Sequence, residues 1–208
     1  SHDTDYHNYT REGTDCLHPD YNDIQLAVDN SVDNDTIYIC PGLWKMSESW
    51  QSDYLDYDPA FAIGSWNPIT NFLDATTGLS FVGAGANKTI IDGLRAGIRL
   101  GRGLVLESSR SGNPADFSVI SIAFQNFGDE AAYGNDVTCD RAVFRNNGGP
   151  NWDGGALYAD GDLETSGCLF VGNRGWSGGA VASQYNWIDY GSTFIGNRAM
   201  REIGRAHV

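Results

Sequence analysis

Two short phrases recur in the second half of the chain at nearly one period. Gly154-Gly155-Ala156 returns as Gly178-Gly179-Ala180 after 24 residues, while Phe144-x-x-Asn147 returns as Phe170-x-x-Asn173 and Phe194-x-x-Asn197 after 26 and 24. Two unrelated phrases in step mark a repeat architecture, in which each unit buries its apolar face on its neighbours. Aligning the three Phe residues places Ala142, Cys168 and Ser192 in one column and Cys139, Thr165 and Asp189 in another. Columns of this kind predict coils stacked at the strand spacing of about 4.8 Å. The Phe column is expected to point inward as a stack of rings. The Asn column is expected at a turn, each amide bonding to the next coil as a ladder. Gly154-Gly155 and Gly178-Gly179 are expected where the backbone turns too tightly for a side chain.

The rest of the chain fits short strands better than long helices. Gly accounts for 26 of the 208 residues and aromatics for 12%, a mixture that suits turns and strands. Residues 1–20 are polar and read as an N-terminal arm. Residues 21–34 hold a capping helix over 21–30, with Asn22 or Asp23 as N-cap and Ile24, Ala27 and Val28 on one apolar face. Such a short helix needs a surface to pack on. The strand over 35–40, stopped by Pro41-Gly42, supplies one. A helix there would cover the open end of a stack.

Coils are expected over 35–201, interrupted by an aromatic insertion at 47–78 with no strand or helix period. The rhythm resumes in strands at 79–85, 89–93, 98–100, 104–106 and 117–124.

These residues resemble the right-handed parallel β-helix, or pectin-lyase-like, fold. The Gly-Gly-Ala and Phe-x-x-Asn phrases resemble the repeats of the polymorphic outer membrane proteins. The stretch Asp23-Ile24-Gln25-Leu26-Ala27-Val28, the strand ending Ile39-Cys40-Pro41-Gly42, and the run Val82 through Gly93 are similar to the N-terminal part of secreted β-helix repeat proteins. The resemblance implies an all-β solenoid and says little about function. The 47–78 insertion departs from it, because the family runs straight from the Pro-Gly turn into the next strand. The final Ile203-Gly204-Arg205-Ala206-His207-Val208 is similar to a translated short-read sequencing adapter, and the repeat would place Gly, not Glu, at position 202. Residues 202–208 therefore read as a non-native tail.

The formal net charge is −14, which disfavours nucleic acid and anionic lipid as partners. No apolar run is long enough to span a membrane as a helix. Polysaccharide lyases need a cation or Arg to neutralise a uronate and a base to take its α-proton. Arg95, Arg99 and Arg102, with Asp92 nearby, are the candidates for that chemistry, against surface charge as the plainer reading. Asp129, Glu130 and Asp136 are the candidate carboxylates for a glycosidase or for calcium, and otherwise no cofactor is expected. No Ser-His-Asp order, phosphate loop or HExxH zinc motif occurs.

Trp50, Tyr54, Tyr57 and Trp66 in the insertion are the candidate ligand-binding rings. Flat rings bind sugar faces or partner proteins, although the same rings could form a private mini-core. Cys16 and Cys40 bracket the helix, and a disulfide there would tie the arm to the first strand. Cys139 and Cys168 point inward on adjacent coils, either as a second disulfide or as buried thiols. Asn8, Asn34 and Asn87 head glycosylation sequons.

The expectation is a secreted or cell-surface β-helix, non-catalytic, serving as a structural or adhesive rod for glycans or surface proteins. The alternatives are an enzyme acting on acidic polysaccharide, and a subunit of an extracellular filament that self-associates through open coil ends.

Overall fold

The computed structural model describes residues 16–17, 19–21, 24–45, 61–63, 78–95, 98–99, 103–106, 115–149 and 154–201. Over these residues the chain is all-β with parallel sheets and almost no helix. The first sheet has six strands: Thr36–Ile39, Leu79–Gly83, Phe117–Ile120, Val137–Asp140, Leu163–Ser166 and Trp187–Tyr190. The second has six: Gly42–Lys45, Thr89–Asp92, Ala123–Gln125, Val143–Arg145, Leu169–Val171 and Thr193–Ile195. The third has five: Phe61–Ile63, Leu104–Leu106, Ala132–Gly134, Leu157–Ala159 and Val181–Ser183. Every pairing within these sheets is parallel. The chain visits the first, second and third sheets in turn and then begins again, an order compatible with a parallel β-helix.

The corners explain how strands this short can form. Between the first and second sheets the column Ser121, Arg141, Gly167 and Gly191 holds φ values of 56°, 49°, 56° and 75°. Just past the second sheet, Asn126, Asn146, Gly172 and Gly196 hold 62°, 54°, 65° and 62°. One left-handed residue per corner bends the chain without a loop, and Gly and Asn reach that region at least cost. The stretch expected as one strand over 117–124 is therefore two strands in two sheets, broken at Ser121. The stop expected at Pro41-Gly42 leads directly into a further strand, Gly42–Lys45, paired to Thr89–Asp92.

The core is built of columns. Trp44, Ile91, Phe124, Phe144, Phe170 and Phe194 are in register through the second sheet. From Phe124 to Phe194 the rings stack with centroids 5.4, 5.1 and 4.9 Å apart and planes within 7° of parallel. Each such pair adds about 0.5–1.5 kcal/mol beyond the area it buries. In the first sheet Phe81, Val119, Cys139 and Thr165 form a buried column that ends on Asp189.

The helix spans six residues, Ile24–Asp29, and its Ile24 and Val28 are buried in the core. The N-caps expected at Asn22 and Asp23 lie outside the described residues. The insertion expected to lack strand structure contributes one, Phe61–Ile63, paired to Leu104–Leu106. Its three residues are too few for a period to be legible. Cys16 is bonded to Cys40 and Cys139 to Cys168, with Cα atoms 5.6 and 6.8 Å apart. The second bond lies wholly within the core.

Candidate functional site

The repeated phrases build scaffold. The amides of Asn147, Asn173 and Asn197 donate to the carbonyls of Phe124, Phe144 and Phe170, at 3.1, 3.1 and 2.9 Å. Their Oδ1 atoms accept the backbone N–H of Phe127, Asn147 and Asn173, at 3.1, 2.9 and 2.9 Å. Each amide thus clamps the preceding coil by both ends. Gly154 and Gly178 form a parallel bridge. A Cβ on Gly155 would collide with the carbonyl of Gly179, so adjacent coils touch backbone to backbone there.

The cationic candidates fall on a small antiparallel pair, Leu94–Arg95 with Ile98–Arg99, in which Arg95 faces Ile98 and Arg99 faces Leu94. Arg102 lies outside the described residues, as do Trp50, Tyr54, Tyr57, Trp66 and Asn8. Asn34 and Asn87 are exposed.

Asp92 is buried and fully occupied. It accepts from the Leu94 N–H at 2.9 Å, Gln125 Nε2 at 3.1 Å and Asn126 Nδ2 at 3.0 Å. Burial works to raise its pKa, but these bonds and the charge of Lys45 outweigh burial and hold it below the usual carboxylate value. A carboxylate held in its charged form this way is a weak proton acceptor, which makes it a structural acid and a poor general base.

The acidic candidates separate. Asp129 and Glu130 are buried at a corner, where Asp129 Oδ1 accepts the Glu130 N–H at 2.8 Å and Glu130 Oε1 lies 3.4 Å from the Gly154 N–H. Asp136 instead belongs to an outer ladder between the third and first sheets. The Asp136 N–H donates to Asp116 at 3.1 Å, Asp162 N–H to Asp136 at 2.7 Å and Asn186 N–H to Asp162 at 3.0 Å. Among the described residues no group of three or more His, Cys, Asp or Glu side chains is arranged to hold a metal ion.

A further set of coil-to-coil bonds lies on an outer face. On the outer face of the third sheet Tyr133 and Tyr158 are in register and stacked, with centroids 5.6 Å apart and planes 19° apart. Tyr133 Oη donates to Asp160 at 2.8 Å. Gln184 Nε2 donates to Asp160 at 2.6 Å and to Tyr158 Oη at 2.9 Å. Both rings are half-buried and Gln184 is exposed. Sequence reading passed over this column, although Ala132-Tyr133 and Leu157-Tyr158 occupy equivalent places in the period. The denser aromatics of the 47–78 insertion are the stronger sequence signal.

No family model matches the chain, and no curated protein or solved structure does either.

Proposed function

We propose that the chain is a right-handed parallel β-helix of the pectin-lyase-like kind that works outside the cell as a non-catalytic, glycan-holding scaffold. The observation that carries this reading is the use made of the buried polar groups. Asn147, Asn173, Asp92 and Thr165 are each engaged in holding one coil to the next or in closing a corner. A hydrolytic or lyase centre needs polar groups aimed at a substrate. Support for an extracellular setting comes from two disulfides and a net charge of −14.

Incubation with polyuronates tests the non-catalytic part. The reading expects no unsaturated product. Turnover that disappears in Arg99→Ala would replace it with a lyase acting on acidic polysaccharide.

A further inference from the structure

We infer that the corner between the second and third sheets carries a docking spot for an acidic, apolar-bearing segment of a protein partner, built from Arg174, Arg198, Arg201, Trp176 and Met200. It stands apart from the glycan-holding reading and does not rest on it.

The Asn ladder sets the place of the first two arginines. Arg174 and Arg198 each come directly after a ladder residue, Asn173 and Asn197. Their backbone N–H groups donate to the Asn147 and Asn173 carbonyls, both at 2.9 Å. The short strands Arg174–Gly175 and Arg198–Ala199 pair in parallel, with Arg174 facing Arg198. Gly175 is buried, whereas Arg174, Trp176, Arg198 and Met200 are exposed. In the coil before, Gly148 follows the ladder residue Asn147, so that position adds no side chain beside Arg174. Coils flank Arg174 on both sides, and its exposure is not that of a sheet edge.

Two features single this corner out. Cations held in register about 4.8 Å apart repel one another, and a chain with a formal net charge of −14 has carboxylates to spare for pairing with them. Yet among the described residues none of the Arg174, Arg198 and Arg201 guanidinium groups has an ion-pair or hydrogen-bond partner. A carboxylate set between two guanidinium groups would relieve that repulsion and accept from both. Beside the arginines, Trp176 and Met200 are 42% and 43% exposed. The Arg201 N–H donates to the Trp176 carbonyl at 2.8 Å, which holds the third arginine's backbone next to the Trp.

Composition selects the partner. Arg, Trp and Met are enriched where proteins meet, and Arg and Trp dominate the residues that carry binding energy. Acidic side chains would take the guanidinium groups. Apolar ones would cover Trp176 and Met200, whose thioether adapts to the shape offered. A polyanionic glycan would engage the arginines and leave Met200 unmatched. Nucleic acid is disfavoured by the charge of the whole chain. An acidic segment is not, because charges beyond about 8 Å are screened at physiological salt. A standard interface buries about 800 Å² per partner, more than these five side chains offer, so the partner docks as a short segment and weakly.

The test is fluorescence polarisation of a fluorescein-labelled peptide of alternating Glu and Leu, added to the oxidised chain. Peptides of Lys and Leu and of Glu and Ser serve as controls, heparin and polygalacturonate as competitors, and thermal midpoints are measured in parallel. The Glu-Leu peptide is expected to bind at low salt and to be released as salt rises, the Glu-Ser peptide to bind more weakly, and the Lys-Leu peptide not to bind. Arg174→Gln combined with Arg198→Gln should weaken binding about tenfold, while the thermal midpoint holds or rises because a repulsion is removed. Trp176→Ala should weaken binding as well, and Trp176→Phe should keep most of it. If the double variant melts below the wild type, Arg201→Gln, at an exposed bend, provides the comparison, with a several-fold loss expected. Undiminished binding by these variants, or no binding of the Glu-Leu peptide by the wild type, would overturn the proposal. Equal binding of the Glu-Ser peptide would overturn the role of Trp176 and Met200. Binding of heparin or polygalacturonate without binding of the Glu-Leu peptide would overturn the protein partner and assign the corner to an anionic glycan.

Discussion

Asn173 is fully buried, and its side chain and N–H reach three neighbours: the Asn147 N–H, the Phe144 carbonyl and Asn197 Oδ1. Asn173→Ala leaves a buried donor and a buried acceptor with no replacement. The expected cost is about 2–4 kcal/mol in denaturant unfolding. Asp92 offers a test with a sign. Its folded pKa lies below 3.8, so the stability it adds is fully present above the unfolded value. That stability is lost as pH falls through the lower folded value. The stability gap between wild type and Asp92→Asn should therefore be largest near neutrality and close below about pH 4. A gap that widens in acid would contradict the assignment. These residue-level roles were only partly legible in sequence. The Asn column announced itself by period, whereas Asp92 looked like a partner for catalytic arginines, because nothing in the sequence places Gln125 and Asn126 against it.

The aromatic column sets the energetics of individual elements. Phe170 is fully buried between two rings, while Phe194 lies on the coil closed by Arg198–Ala199 and is half-buried. Phe170→Ala should cost about 3–5 kcal/mol, and Phe194→Ala distinctly less, both read from chemical denaturation. Equal costs would mean that the column does not act as a stack with an inside and an end. The periodic elements from 137 onward could be read from sequence because one repeat follows another with the same residues at the same corners. Upstream the corners use Ser121 and Asn126 where later coils use Gly191 and Gly196. The period there is 20 residues, from Phe124 to Phe144, so the phrase no longer matches although the register persists. Phe127 also stands where later coils have Asn, and its N–H is the one that Asn147 receives. The ladder begins one coil later than the ring stack for that reason.

At the scale of the molecule, six strands at the usual spacing span about 24 Å. Across the described coils the inward first-sheet column runs from Phe81 to a charged residue, Asp189. Burial already opposes that charge, and bonds from Ser192 and Thr165 nonetheless hold the Asp189 pKa low. The two disulfides should respond differently to reductant. Cys16 is exposed, whereas Cys139 and Cys168 are sealed in the core. Thiol trapping with mass spectrometry should find Cys16 and Cys40 labelled under native conditions, and Cys139 and Cys168 only after unfolding. Simultaneous labelling would mean that the core opens readily.

The most direct measurement mixes the oxidised protein with soluble neutral and acidic polysaccharides in turn and follows both by size-exclusion chromatography with light scattering over a long incubation. The protein should elute with at least one polymer, and that polymer should keep its molar mass. A polymer whose mass falls with time, or a protein that elutes alone from every polymer tried, would contradict the proposed function.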